Sequence, residues 1–402
     1  MTRALVIGAG LAGSTTAMAL QHVGIEASVH EAHPRSDGEV GSYFTVTPNG
    51  LDALAAVDAI DLAQRSGFPS RRNVMVGRSG STLGTVSLGR PLEDGTPALT
   101  MKRSRLARLL ADEAQRRGID VHHSSRLVDA REEDGRVVAR FHDGTTDTAD
   151  LLVGADGVHS TTRRLMDPHA PAGRYVGLTN FGGITPADRV VADLEPEAWQ
   201  FAFGRHAFFG AHPTPAGDVV WFVNVPRGEI SAGERAAKST ADWQQELCDL
   251  LLGDAGPAAS LVADGRLELA ADNTYDLGRV PVWHTARMLA IGDALHAPAP
   301  SSGQGASMAL EDAVELARVL RDSSSVEAAL GAFEARRRPR VERIVRYGAR
   351  SSSTKTPGPW AAAVRDLSLR LVFRTLVTDR SVEWMYGHRF RWEDRVEQPA
   401  VR

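Results

Sequence analysis

The chain has 402 residues, a formal net charge of −4, 43% apolar and 24% charged residues. That length buries a large core and suggests two domains, while the charge balance excludes a surface built to bind nucleic acid. The single cysteine, Cys248, rules out an internal disulfide and fits a reducing compartment. No apolar run approaches the ~18 residues of a membrane span, and the N-terminus lacks the layout of a signal peptide, so a cytoplasmic protein is expected.

Residues 4–7 read as a short buried strand, followed by Gly8-Ala9-Gly10-Leu11-Ala12-Gly13. A helix over 14–23 ends at Gly24, and 26–31 is a second strand. This is a βαβ unit with a dinucleotide fingerprint. Gly8 allows the tight turn, Gly10 the approach of a pyrophosphate, and Gly13 close packing of helix on strand. Glu31 lies 18 residues beyond Gly13. Its carboxylate can accept from ribose hydroxyls and disfavours a 2′-phosphate, so the site suits the adenosine of FAD or NAD.

Residues 48–63 look helical, and 71–88 look like paired strands. A helix over 104–117 carries the stripe Leu106, Leu109, Leu110 and Ala114, with Arg103 as a cation just before it. Residues 120–140 alternate as strands with a turn at 132–135, and 150–154 is an apolar strand entering Ala155-Asp156-Gly157. A helix over 158–165 then repeats the strand–turn–helix context. From 175 to 280 the character changes to an antiparallel sheet, with strands in 199–209 and 219–225 and a hairpin at Pro213, Pro215 and Gly217. Phe201, Phe203 and Arg205 should share one strand face. With Trp221 they are the candidate wall of a substrate pocket, in a stretch that also holds Phe209 and Asn224. Cys248, in a helix over 243–252, reads as a structural thiol.

The most informative stretch is 287–313. A buried strand, 288–291, ends in Gly292-Asp293, and a loop with Pro298 and Pro300 follows. Gly303-Gln304-Gly305-Ala306 then opens an amphipathic helix. Asp293 could accept from a polyol chain, Pro300 could press on a ring edge, and the N–H groups of 303–306 could face a ring that becomes anionic. Together with the first glycine turn, this points to FAD. His296 is read as structural support. The run Arg336-Arg337-Arg338-Pro339-Arg340 is expected to be a solvated helix end. No metal site is expected: His122 and His123 are adjacent and would face opposite ways on a strand. The tail has apolar patches at 367–376 and 382–386.

On these blocks the chain resembles the single-component, class A FAD-dependent aromatic monooxygenases of the para-hydroxybenzoate hydroxylase fold, over roughly residues 1–345. Within them it looks most like the compact branch of tetracycline-inactivating and salicylate-type hydroxylases. The motifs are the glycine turn, Asp156-Gly157, and Gly292-Asp293 with its Pro and Gly-Gln-Gly sequel. The family's Arg-x-x-Leu-x-x-x-Leu element falls on Arg103, Leu106 and Leu110, and Leu127 matches a position whose backbone meets the adenine. Two departures stand out. Glu31 is followed by Ala32 where arginine is usual, with Arg35 the nearest, and Ser307 replaces an asparagine.

The resemblance implies an α/β fold: a Rossmann-like FAD domain (1–70, 98–174 and 281–345), an inserted antiparallel-sheet substrate domain (71–97 and 175–280), and a C-terminal helical segment (346–402). It implies hydroxylation of an aromatic or polyketide-like small molecule, as in antibiotic biosynthesis, with NAD(P)H and O2 through a flavin C4a-hydroperoxide. NADPH is favoured over NADH on family grounds, and a monomer or homodimer is expected. The loop 40–47, with Gly41 and Ser42, is a candidate gate or an ordinary strand. Two alternatives stay open: an FAD oxidase or dehydrogenase on the same scaffold, and a catalytically silent flavin-binding partner protein.

Overall fold

In the computed structural model, residues 2–35, 38, 41–298, 303–352, 366, 368–373 and 379–396 are described. The strand Arg3–Ile7 sends alternate side chains to opposite faces. Ala4 and Val6 enter one apolar cluster and Leu5 and Ile7 another, so the strand is covered on both sides. It is the middle of a parallel sheet ordered Met288–Ala290, Leu151–Gly154, Arg3–Ile7, Glu26–His30, Asp120–His122. The helices Leu11–His22, Arg103–Arg116 and Gly305–Asp322 cover one face, through Met18, Leu106, Leu110, Met308 and Val314. An antiparallel ribbon of Leu127–Glu133, Arg136–Phe141 and Thr146–Ala149 covers the other, where Val137, Ala139 and Phe141 meet Leu5, Ile7 and Leu152.

Two local expectations change. The first helix begins at Leu11, because Gly10 itself serves as its N-cap. The expected helix over 48–63 is two, Pro48–Ala56 and Ile60–Ser66. Asp58 separates them with φ +55°, a left-handed conformation that short polar side chains tolerate.

The second sheet is ordered Arg266–Asp276, Arg174–Thr185, Val219–Pro226, Phe208–Pro213, Ala198–Phe203, Arg72–Val76, Thr82–Ser87. Only the pairing of Ala198–Phe203 with Arg72–Val76 is parallel. One of its faces buries Phe181, Phe209, Trp221 and Val223 against Trp243, Leu247, Leu251 and Leu261 of the helices Thr240–Leu251 and Ala258–Asp264. The other face looks toward the parallel-sheet domain. There the Trp199 Nε1–H donates to the hydroxyls of Thr45 (3.0 Å) and Thr100 (3.1 Å). The fold is therefore a Rossmann-like parallel sheet with an inserted antiparallel sheet and C-terminal helices.

The basic run is not a solvated helix end. It lies in the middle of the helix Val326–Ser352, and Arg337 is 2% exposed. Its guanidinium pairs with Glu311 (2.7 Å) and Asp312 (2.7 Å), both fully buried on Gly305–Asp322. Arg340 also binds Glu311 (2.7 Å), then donates to the carbonyls of Trp384 and Met385 (2.8 Å each). This ties down the helix Asp379–Tyr386, whose Val382, Met385 and Tyr386 join the main core. The run was misread because its acidic partners are more than twenty residues earlier in the chain.

Burial alone would raise the carboxyls of Glu311 and Asp312. The charges of Arg337 and Arg340 on Glu311, and of His296 and Arg337 on Asp312, hold both below the usual range. A depressed folded pKa stabilises above the unfolded value of about 4 and is lost as pH falls below it. Arg337→Met should cost about 3–5 kcal/mol at neutral pH by stranding buried carboxylates. The gap to the parent should narrow as pH drops below ~4. Denaturant unfolding of both proteins across pH measures this; a gap that stays constant or widens on acidification contradicts the assignment.

Candidate cofactor and substrate site

At the first turn the glycines do different work. Gly8 has φ +105°, and a Cβ there would sit 2.6 Å from the carbonyl oxygen of Ala155. A Cβ on Gly13 would lie 1.8 Å from the Gly8 carbonyl oxygen. Both are required by the protein's own packing. A Cβ on Gly10, by contrast, would meet no atom within 4 Å, so the space above the turn is open. Leu11 is buried and Ala12 half-buried, with Ala12 packed close to Gly292. The helix Leu11–His22 starts with no side-chain cap. Glu31 accepts from the backbone N–H of Ala9 (2.8 Å) and of His33 (2.9 Å), which leaves lone pairs on its carboxylate. Arg35 turns away to Asp112 (3.0 Å). Leu127 buries its side chain in the ribbon core, so only its backbone can meet a ligand.

Asp156 is occupied. It accepts from the Ser160 hydroxyl (2.5 Å), from Thr161 N–H (2.7 Å), and from the N–H (3.0 Å) and hydroxyl (3.2 Å) of Thr162. It thus caps the helix Thr161–Met166 and holds the turn against Gly8. Any ligand contact there falls to the backbone.

At the other end, Asp293 accepts from Arg103 (3.2 Å). The pair joins the start of one helix to the end of a strand. The Gly292 N–H donates to Asp312 (3.0 Å), and His296 Nε2 bonds the same carboxylate. His296 is thereby a buried support for this loop, as expected. The helix Gly305–Asp322 also starts without a side-chain cap. A Cβ on Gly303 would meet nothing within 4 Å, and one on Gly305 would lie 3.7 Å from Asp293 Oδ1. The Gln304 side chain points inward, donating to Thr47 (2.9 Å) and accepting from Asn49 (3.0 Å), so it is committed to the protein rather than to a ligand. Ala306 is half-buried beside it. Ser307, where the family has asparagine, bonds the Thr47 hydroxyl (2.8 Å), and a Cβ on Gly50 would lie 2.9 Å from its Cα, so the two helices approach closely here. Pro300 lies outside the described residues.

On the second sheet, Trp199, Phe201 and Phe203 share the face toward the first domain. Trp199, Phe201, Phe208 and Phe222 form an aromatic patch with ring centroids 5.6–6.0 Å apart. Gly210 makes room for it, since a Cβ would lie 2.3 Å from the Phe222 ring. Two expected members are elsewhere. Arg205 falls beyond the strand end, in the turn closed by Gly204 and Ala207. Trp221 lies on the opposite face, sealed in the second core with Nε1–H donating to Thr185 (3.0 Å). Antiparallel alternation puts residues 221 and 222 on opposite sides, and only the packed helices decide which side is which.

Sequence reading also missed a buried polar seam between the domains. Thr45 and Thr100 (2.7 Å), Thr100 and Ser70 (2.7 Å), and Ser70 and His212 (2.8 Å) are hydrogen-bonded in series. Burial pushes His212 down to about 4, so it is neutral. The Pro213 carbonyl beside Nδ1 (2.8 Å) can only accept, so Nδ1 donates and Nε2 accepts from Ser70. Lys102 pairs with Glu268 (2.8 Å) across the same boundary. Hydroxyls at inward positions of otherwise apolar strands were the available signal.

These features fit FAD. An open lane runs over Gly10, carboxylates end two parallel strands, and two uncapped helix starts offer N–H groups to anionic atoms. Among the described residues no His, Cys, Asp or Glu group could hold a metal. Fold and site define an FAD-dependent flavoprotein monooxygenase. Residues 1–347 match the family model described as "FAD binding domain", and the chain belongs to that family. The FAD-dependent urate hydroxylase of Klebsiella pneumoniae is 31% identical over 348 residues, 85% of this chain and 88% of that one. The 3-amino-4-hydroxybenzoate 2-monooxygenase PtnB3 of Streptomyces platensis is 30% identical, with 96% of each chain covered. The crystal structure of Klebsiella pneumoniae HpxO with FAD and uric acid superposes with a TM-score of 0.80 at 26% identity, over 95% of this chain and 97% of that one.

Gly10→Ala should leave the melting temperature of the FAD-free protein unchanged and weaken FAD binding about tenfold or more. Gly13→Ala should lower that melting temperature as well, because its methyl group meets backbone. Equal behaviour of the two variants rules out the open lane. Asp293→Ala should weaken FAD retention by ~1.5–3 kcal/mol, the worth of a charged hydrogen bond. Flavin occupancy after gel filtration measures it, and undiminished occupancy rejects the role.

Proposed function

We propose that the protein hydroxylates an aromatic or polyketide-like small molecule held between the Trp199–Phe201–Phe222 patch and an FAD seated from Gly10 to Asp293. The observation that carries this reading is the Trp199 bond to Thr45 and Thr100. It fixes the aromatic face over the strand Leu99–Lys102, which leads straight into Arg103 and its partner Asp293. FAD, when bound, accepts hydride from NAD(P)H and activates O2. The overall change is substrate–H, O2, NAD(P)H and a proton to substrate–OH, water and NAD(P)+.

The chain's own residues have four tasks. Glu31 and the turn at Gly8, Gly10, Leu11, Ala12 and Gly13 hold the adenosine and pyrophosphate. Asp293, with Arg103, holds the polyol chain. The N–H groups at Gly303, Gln304, Gly305 and Ala306 meet the ring where negative charge grows on reduction. The aromatic patch orients the substrate and keeps water away. Leu127 and the turn at Asp156 contribute backbone only. Its resemblance supports grouping it with the compact branch of tetracycline-inactivating and salicylate-type hydroxylases. NADPH is the proposed reductant, the cytoplasm the proposed location, and a monomer or homodimer the proposed state. Among the described residues no helix is long and apolar enough to cross a membrane.

Reduction should be gated. Gly41, with φ +131°, precedes the strand Tyr43–Val46, and the Ser42 carbonyl accepts from Arg103 N–H (3.1 Å). A substrate that biases this region by ~3 kcal/mol would speed flavin reduction about a hundredfold. Stopped-flow reduction by NADPH with and without substrate, joined to product mass, tests the reading. A product one oxygen atom heavier is expected. Equal rates, with hydrogen peroxide and no oxygenated product, would favour an oxidase.

A further inference from the structure

Three polar side chains lie side by side on the face of the second sheet that carries the aromatic patch. Asn180 pairs in register with Asn224 on one neighbouring strand and with Asp272 on the other. Directly opposed residues of antiparallel strands project to the same face. Asn224 is also opposite Phe208 and two residues from Phe222, so the row borders the patch. Asp272 feels the charge of Arg103, which binds Asp293, and of Arg235. The row therefore lies on the cofactor side of the sheet.

None of the three side chains has a hydrogen-bond or ion-pair partner among the described residues. For Asn224 this is unusual, because it is 6% exposed. The other buried amides, Asn49 and Gln304, are both bonded. Asn273, next to Asp272, is bonded too, to Ile230 (2.8 Å). The Asn224 amide is not among the fully enclosed unpaired polar atoms, so although the residue is buried its amide still reaches solvent, where water or a ligand can pair it. Asp272 is exposed to solvent, and desolvation by the protein around it holds its carboxyl above the usual range despite the two arginines.

We propose that Asn180, Asn224 and Asp272 read the polar edge of the substrate, and that the substrate is a lactam-type heteroaromatic presenting adjacent N–H and C=O groups. This rests on the monooxygenase reading of the site and adds the substrate class. Each amide supplies an acceptor oxygen and two N–H donors, and the carboxylate supplies acceptors only. Such a row complements an edge that alternates donor and acceptor. A plain hydrocarbon edge would leave it unpaired, and a carboxylate on the substrate would be repelled by Asp272. A site built to hydrogen-bond its substrate discriminates strongly against an analogue that lacks the groups.

The test uses the full-length, FAD-loaded protein and a matched pair of bicyclic probes, 2-quinolone and 2-naphthol. Binding is read from perturbation of the flavin absorbance, without turnover. The expected result is that 2-quinolone binds about tenfold more tightly or better. Asn224→Leu, of similar size, should bring the ratio close to one by weakening 2-quinolone alone. Asp272→Asn should reduce the ratio while leaving 2-naphthol unchanged, and it serves if Asn224→Leu does not fold. Equal affinities in the parent, a ratio untouched by the variants, or no perturbation by either probe overturns the proposal. The two readings fail separately. NADPH oxidation that yields only peroxide with every bound probe sinks the monooxygenase reading and leaves the ratio standing. Oxygenated product from 2-naphthol with no preference for 2-quinolone sinks only the edge assignment.

Discussion

The arrangement depends on one buried ionic junction. Arg337 sits between Glu311 and Asp312, where none of the three charges reaches water. Each is tolerable only because the others are present. Asp312 also takes the Gly292 N–H and His296, so the strand end that carries Asp293 is clamped to the helix that begins at Gly305. Glu311 takes Asn49, which in turn donates to Gln304. Through Arg340 the same junction anchors the C-terminal helix. The groups proposed to meet the flavin ring are thus positioned by residues that never touch it.

A second constraint is close approach of backbones. Gly8, Gly13 and Ala155 meet at distances that admit no side chain, which brings the first turn and the Asp156 turn together. Gly50 does the same against Ser307, the position where the family has asparagine. Where the protein has no such need, at Gly10 and Gly303, the missing side chain leaves space instead. Glycine in these motifs therefore serves two purposes, and only the tertiary packing separates them.

The antiparallel sheet divides its work by face. Toward the helices it is a sealed apolar core around Trp221 and Trp243. Toward the parallel-sheet domain it mixes an aromatic patch with hydroxyls, His212, Asn224 and the Lys102–Glu268 pair. Core chemistry and recognition chemistry are separated by the thickness of one strand. Neighbouring residues such as Trp221 and Phe222 consequently have unrelated roles.

Much of this was legible in the chain itself. Spaced glycines, an acid at the second strand's end, and Gly292-Asp293 before Gly303-Gln304-Gly305 are local patterns, and local backbone sterics and hydrogen bonding suffice to place them on turns and helix starts. The change of character near residue 175 likewise marked the inserted sheet. The tertiary structure decided what depends on partners distant in sequence. It buried Arg337 rather than solvating it, turned Asp156 and Gln304 inward, put Trp221 behind the sheet, and left Asn224 without a partner. A residue's type and spacing limit where it can point. Whether that direction is core, seam or cleft depends on which other segments pack there, and these lie tens to hundreds of residues away.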